Sequence, residues 1–503
     1  MAAETEDIID VLNLCGGAWE SPQTDRYDDV FNPSTGAVIA RVPLSNARDV
    51  ARTVSAAADA LPGWSRTPVI ERARVMFRYR ELLEQNLEGL SEIVTREHGK
   101  SLAESRAEVR RGIEVVEFAC GIPSLMMGQS IANIASDVDA DVAKHPVGVC
   151  VGITPYNFPA MVPMWMFPIS LVCGNSFILK PSEKVPLTAV RLAELLLEAG
   201  LPEGVFNLIH GGRDCVDALL GDSRVAAVSF VGSTAIARSI YERGTRAGKR
   251  VQAAGGAKNH CVIMPDADPE LAVSALAAAS YGCGGQRCMA TSVAVAVGPI
   301  ADSFVDRLCN HASSLSVGPT DTGDAIDVGP LIRSEHVQRV SSYLDVANED
   351  GASVVLDGRR DFDSDGFFLG PSVVDHVTPD MRMAREEIFG PVLSVMRADN
   401  LEAALAFGDQ CEFGNGASIF TRDGFAAREF REHFNAGMIG INVGVPAPMA
   451  WFPFTGWNNS FFGDLHVQGL EGIQFYTRQK VTLTRWFRPS ADSAEDPIWR
   501  GQQ

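Results

Sequence analysis

Five short segments concentrate the residues that could do chemistry. Gly284-Gly285-Gln286-Arg287-Cys288 places a thiol directly after two glycines, which let a backbone turn sharply and leave room beside the sulfur. A guanidinium next door favours the thiolate, the reactive form, so Cys288 is a candidate covalent nucleophile with Arg287 as its activator. The alternative is a buried, inert thiol, one of the ten cysteines in the chain. Thr154-Pro155-Tyr156-Asn157-Phe158-Pro159 sets an asparagine on a proline-stiffened loop, where its amide could donate to a developing oxyanion or merely satisfy its own turn. Leu179-Lys180-Pro181-Ser182-Glu183 offers a lysine and a carboxylate for phosphate or ribose hydroxyls, and would equally serve as an exposed loop pair.

The last two segments extend the same theme. Phe230-Val231-Gly232-Ser233 runs from a strand into a helix, whose free amides could take a diphosphate. Glu386-Glu387-Ile388-Phe389-Gly390-Pro391-Val392 puts a carboxylate and an aromatic ring on a rigid turn. No complete G-x-G-x-x-G fingerprint is present, since Gly282-Cys283-Gly284 and Gly414-Asn415-Gly416 both fail at the third glycine.

These segments need elements to hold them. From Ala47 to about Val116 apolar residues recur at helical steps, with Gly99 where a helix would stop. Short apolar runs at Val147–Ile153, Phe177–Leu179, Phe206–Ile209 and Val228–Val231 predict buried strands. They alternate with helical stretches at Thr188–Glu198 and Ile236–Arg243. That alternation predicts β-α-β units in a doubly wound parallel sheet. A second alternation begins after Lys258, with strands at Cys261–Met264 and Ser292–Val297 and helices at Glu270–Ala279, Ala301–Leu315 and Glu335–Glu349.

With 503 residues, 46% hydrophobic and 21% charged, the chain has material for two or three domains. A net charge of −20 argues against nucleic acid or an anionic membrane surface as a general partner, while leaving local anion sites possible. Cysteines without C-x-x-C pairs or zinc spacing predict a reducing compartment and no metal site. The acidic start at Met1 to Asp10 has no signal-peptide pattern, so a cytoplasmic location is expected. No acidic or basic residue lies between His145 and Lys180, but Pro155, Pro159, Pro163 and Pro168 argue against a membrane span.

Taken together and in this order, the five segments resemble the aldehyde dehydrogenase superfamily, from Asn32-Pro33-Ser34-Thr35-Gly36 to Gly472-Ile473-Gln474-Phe475-Tyr476-Thr477. The resemblance implies an α/β fold with a Rossmann-like cofactor domain, an α/β catalytic domain and a small β oligomerisation element. The expected division is 1–123 with 147–257 for NAD binding and 258–455 for catalysis. It gives 124–146 with 472–488 to oligomerisation, as a dimer or tetramer, and leaves 489–503 as a tail. It further implies that Cys288 is the nucleophile and that Asn157 and the cysteine's own amide form the oxyanion hole. Lys180 and Glu183 match residues around the adenosine ribose, with Lys184 beside them. Ser233 matches a diphosphate contact, Glu387 and Phe389 the nicotinamide ribose pair, and Thr154 and Tyr156 backbone positions lining the cleft.

Departures narrow the resemblance. Hydrolytic members carry a glutamate where Gln252-Ala253-Ala254-Gly255-Gly256-Ala257-Lys258-Asn259-His260 has Ala254, and alanine cannot act as a general base. That stretch, Gly285-Gln286-Arg287-Cys288-Met289-Ala290, Ser124-Leu125-Met126-Met127-Gly128 and Phe454-Thr455-Gly456-Trp457 are similar to the methylmalonate-semialdehyde dehydrogenase subfamily. That similarity implies coenzyme A as acyl acceptor and a semialdehyde acid as substrate, its carboxylate gripped by Arg287 and Arg111. Arg111 could instead form a surface ion pair with Glu108 or Glu114. A hydrolytic dehydrogenase with its base elsewhere, and a catalytically retired scaffold, are the alternatives. Ala237 stands where relatives have a second glycine after Gly232-Ser233, which puts the diphosphate contact in question.

Overall fold

A computed structural model describes residues 8–322, 325–362 and 364–487, so the tail expected at 489–503 lies outside the described residues. Two large sheets organise the chain. The first has eight strands, and its parallel centre runs Arg250–Ala254, Val225–Val231, Val149–Ile153, Ser176–Lys180, Phe206–Leu208. Chain order reverses around Val149–Ile153: its successors stack to one side at 176 and 206, then to the other at 225 and 250. A sheet opens a crevice at the carboxyl ends of its strands at such a reversal. Ile153, Lys180 and Val231 end the three strands there. Short strands at Asn13–Cys15, Ala18–Glu20 and Phe461–Phe462 close the antiparallel edges.

The second sheet has seven strands in the order Ser353–Leu356, Ser372–Asp375, Val392–Ala398, Thr291–Val297, Asn259–Ile263, Gly416–Phe420, Met438–Ile441. All but the first are parallel. The change of sheet falls between Ala254 and Asn259. A third, antiparallel sheet of Gln129–Ala135, Val138–Pro146 and Thr477–Arg485 stands apart, with Ile131, Ile134, Val481 and Leu483 exposed.

The proline-punctuated stretch after Asn157 forms a buried helix, Met161–Val172, every residue from Val162 onward being buried. Pro163 sits in its first turn, where the missing N–H costs nothing, and Pro168 lies inside it. No helix among the described residues is long and apolar enough to cross a membrane.

Helix Leu102–Cys120 packs beside that buried helix. Ser101 and Glu104 form a reciprocal capping box at its start. Glu104, Glu108 and Arg111 recur along it at steps of four and three, which puts them on one face. The approach of the two helices is close because Gly112 leaves room for Met164, whose Cε lies 2.0 Å from where a Cβ would be.

Candidate active site

Cys288 stands where two cavities meet. One is a cleft of about 770 Å³ at the switch point, lined by Thr154, Tyr156, Asn157, Lys180, Glu183, Lys184, Ser233, Glu387 and Phe389. The other, about 300 Å³, is walled by Phe158, Met161, Trp165 and Phe454 and carries Arg111 and Arg287. Cys288 lines both. The structure therefore brings every site residue proposed from sequence to one of two faces of a single thiol.

The nucleophile loop is built on left-handed backbone. Cys283, Gly284 and Gly285 have φ of 52°, 62° and 70°. A Cβ on Gly285 would lie 2.2 Å from the Gly390 carbonyl oxygen, so only glycine lets this loop meet the 387–390 turn. The Cys288 carbonyl accepts from Asn259 Nδ2 at 2.9 Å and Asn415 Nδ2 at 3.0 Å. Asn157 Nδ2 donates to the Gln286 carbonyl at 3.0 Å, which uses one of its two hydrogens and leaves the other. The thiol lies against the amides of Cys288 and Met289, which favour its ionised form.

The expected activation by Arg287 is not what the structure shows. Its guanidinium turns away, with Nη2 2.7 Å from Glu104 Oε1 and Nε 3.2 Å from Cys283 Sγ. Burial dominates instead and, with the Glu387 carboxylate second, pushes the Cys288 thiol up to about 12. Arg287 acts on that thiol less than burial, the Glu387 carboxylate or the amides of Cys288 and Met289. The reason is local: Glu104 Oε1 also accepts the Cys283 amide at 2.7 Å, so the arginine completes a knot on the preceding turn. Arg111 reaches the same cavity and pairs with Glu114 Oε2 at 3.0 Å, the ion pair that sequence offered as its alternative. Both arginines keep unused donors, since a guanidinium carries five.

The cleft has the donor set a dinucleotide requires. Lys180 and Glu183 lie 3.4 Å apart. Burial alone would raise the Glu183 carboxyl, but Lys180 and Lys184 hold it below its ordinary value, so it is a charged hydrogen-bond acceptor lining the cleft. Ser233 occupies the cap of helix Thr234–Arg246 without bonding its amides, which leaves them for a diphosphate. The Thr154 hydroxyl is buried in the same cleft with no partner among the described residues. Ala237 is fully buried in the core, and Ile236, Ser239 and Ile240 line the cleft in its stead, so its methyl is not part of the cleft wall. Tyr156, expected as a backbone position, contributes its ring: Phe389 meets it edge-on at 6.0 Å and Lys184 Nζ lies 4.8 Å from its centroid.

Several positioning groups escaped the sequence. Phe389 has φ of 60°, and its turn is braced by His336 Nε2 to its carbonyl at 2.7 Å and by Arg339 to the carbonyls of Glu387 and Ile388 at 2.8 and 2.9 Å. Glu387 accepts the Ala257 amide at 3.0 Å, and burial raises its carboxyl above the ordinary value. Lys258, pushed down to about 8 by burial, donates to the Glu386 carbonyl at 2.8 Å. Asn259 and Asn415 lay inside motifs already singled out, Gly256–His260 and the rejected Gly414–Gly416, yet nothing in them pointed to the cysteine carbonyl.

Comparison with known proteins gives one answer. Residues 19–482 match the sequence profile of the aldehyde dehydrogenase family. A malonate-semialdehyde dehydrogenase of Halalkalibacterium halodurans is 50% identical over 475 residues, covering 94% of this chain and 98% of that one. The crystal structure of methylmalonate-semialdehyde dehydrogenase from Oceanimonas doudoroffii is 46% identical with a TM-score of 0.93, covering 96% and 99% of the two chains. That of a putative methylmalonate-semialdehyde dehydrogenase from Sinorhizobium meliloti complexed with NAD is 45% identical with a TM-score of 0.94, with the same coverage. Motif order, the thiol between two cavities and these likenesses agree, and the chain belongs to the aldehyde dehydrogenase family.

Proposed function

We propose that the enzyme oxidises malonate or methylmalonate semialdehyde with NAD and passes the acyl group to coenzyme A, releasing carbon dioxide and giving acetyl-CoA or propionyl-CoA. The observation that carries this reading is the second cavity: one apolar chamber in which Cys288 shares the wall with Arg111 and Arg287. An aldehyde with a carboxylate one carbon beyond it matches a thiol flanked by arginines, because guanidinium binds carboxylate through paired hydrogen bonds.

The Cys288 thiolate adds to the aldehyde carbon, forming a C–S bond, and the oxyanion takes the free Asn157 N–H and the Cys288 amide. NAD bound in the cleft would supply the acceptor for the hydride that leaves that carbon. Glu183, Ser233 and Glu387 would hold the cofactor, with Phe389 lining the same cleft as the thiol. The product on Cys288 is a thioester. Its β-carboxylate leaves as carbon dioxide, the C–C electron pair passing into the thioester carbonyl before the carbon takes a proton. The coenzyme A thiolate then attacks the thioester and frees Cys288. Water is a poor competitor, because position 254 carries alanine and offers no base to deprotonate it.

The ten cysteines are all unpaired, which suits the reducing cytoplasm as the working compartment. The exposed apolar residues of the three-stranded sheet support a homo-oligomer, dimer or tetramer, joined through that face.

The test is the coenzyme A dependence of NADH formation on malonate and methylmalonate semialdehyde, with Cys288→Ala as the inactive control. Without coenzyme A the expected trace is a burst of one NADH per site followed by a slow phase. Full turnover to free acid would establish a hydrolytic enzyme, and activity in Cys288→Ala would reject the nucleophile.

A further inference from the structure

The Asn157 loop is held from outside. It joins strand Val149–Ile153 to helix Met161–Val172, whose cap residue, Ala160, has no side chain able to bond the helix amides. Glu108, from the inward face of helix Leu102–Cys120, supplies the cap from a distance: Oε1 accepts the amides of Ala160 at 2.8 Å and Met161 at 3.1 Å. Its other oxygen binds Lys100 Nζ at 2.5 Å. The same Nζ donates to the Asn157 carbonyl at 2.6 Å and stands 4.0 Å over the Phe158 ring. Both charged side chains are 0% exposed. One buried ion pair thus fixes the loop at Asn157, Phe158, Ala160 and Met161.

A fully buried ion pair is weak as a source of stability, since desolvation offsets most of its attraction and apolar replacements are often neutral. What it does supply is geometry. Among the described residues the Asn157 amide hydrogen-bonds the nucleophile loop at one point, the Gln286 carbonyl, so its remaining N–H is aimed by how the 157 peptide itself is anchored. Lys100 and Glu108 supply that anchor, and Glu104 on the same helix face ties down the Cys283 end of the nucleophile loop. Glu104 and Glu108, one turn apart on this helix, therefore brace the two loops that carry Cys288 and Asn157.

We propose that Lys100 and Glu108 are positioning residues for the acylation step: they act through Asn157, holding its amide where the oxyanion forms. This rests on the proposed oxyanion role of Asn157. Removing one oxyanion donor costs about 10²–10³-fold in rate, and a misplaced donor forfeits part of that. Lys100→Met should slow single-turnover NADH formation by about 10- to 100-fold with KM changed less than about threefold. Glu108→Gln, the same shape without the charge, should fall between it and the parent and keeps the test open if Lys100→Met does not fold.

The deciding measurement is a double-mutant cycle with Asn157→Ala, read as the single-turnover rate. If Lys100 acts through Asn157, adding Lys100→Met or Glu108→Gln to Asn157→Ala slows the rate by less than about twofold more. Full multiplication of the two losses would overturn the proposal, because the pair would then act by another route. So would a slow Asn157→Ala beside a Lys100→Met and Glu108→Gln of parental rate. Parental rate in Asn157→Ala itself would instead overturn the oxyanion reading beneath it.

Discussion

The carboxylate grip yields the most discriminating prediction, and the choice of arginine decides whether it can be read. Arg287 is a poor target. Its side chain is 21% exposed and pairs with Glu104, itself 19% exposed, so truncation would strand a largely buried carboxylate at a cost of about 3–5 kcal/mol before any substrate is bound. Arg111 is the cleaner one. It and Glu114 are 33% and 34% exposed, a pair worth roughly 0–1 kcal/mol, so Arg111→Gln leaves the fold intact. A hydrogen bond to a charged group contributes about 1.5–3 kcal/mol. Partial exposure and competition from Glu114 bring the Arg111 contribution to the low end of that range, equivalent to about tenfold. Arg111→Gln should therefore lower kcat/KM for malonate semialdehyde about tenfold, mainly through KM, while propanal, which lacks the carboxylate, changes less than about twofold. The assay is NADH formation at saturating NAD and coenzyme A with each aldehyde in turn. Equal losses for the two aldehydes would refute the grip, and so would an unchanged value for the semialdehyde.

Two further outcomes rest on the geometry around the thiol. In the cofactor-free enzyme Glu387 is the second cause, after burial, that holds the Cys288 thiol near 12, so Glu387→Gln lowers that pKa. Iodoacetamide inactivation at pH 8 should accelerate accordingly, and an unchanged rate would show that the carboxylate does not act on the sulfur. Gly285→Ala meets both a φ of 70° and the Gly390 carbonyl at 2.2 Å, whereas Gly248→Ala has a similar φ of 74° with nothing within 4 Å. Backbone strain is about 1–2 kcal/mol at either site and overpacking adds about 1–3 at the first. Urea unfolding should rank Gly285→Ala as the more destabilised, and equal midpoints would mean that the loop and turn do not touch.

The strands were legible because a parallel sheet buries both faces, and Val149–Ile153, Ser176–Lys180 and Val225–Val231 are short, mostly apolar runs buried almost throughout. Helix Met161–Val172 was less so, since four prolines over 155–168 hide its period and only burial on all sides keeps it helical. The chemical segments could be found one by one, as glycine-cysteine, proline-asparagine and lysine-glutamate clusters, but their meeting could not. Asn415 reaches the Cys288 carbonyl across 127 positions, and Glu104 takes the Arg287 guanidinium across 183. A helical spacing did exist in the sequence at Glu104, Glu108 and Arg111. It was legible as one face of a helix, while what that face looks upon depends on packing.

Arg287 shows how the difference bears on mechanism. Adjacency in sequence suggested that it ionises Cys288, but successive side chains on a turn diverge, and this one is spent on Glu104 and Cys283. The resting thiol is consequently held by burial and by Glu387 in its neutral, unreactive form. The groups that favour the thiolate from within the chain, the amides of Cys288 and Met289 and, behind them, Arg287, do not outweigh desolvation. The missing contribution must then come from the cleft. A positive charge placed there by an oxidised nicotinamide would offset the Glu387 carboxylate and lower the thiol's pKa, so that reactivity arrives together with the hydride acceptor. Such an arrangement would keep a nucleophile between two open cavities from adventitious alkylation and oxidation until the cofactor is in place. The same alkylation assay, run at one pH with and without NAD, tests it: protection without acceleration at any NAD concentration would mean that the activating charge lies elsewhere.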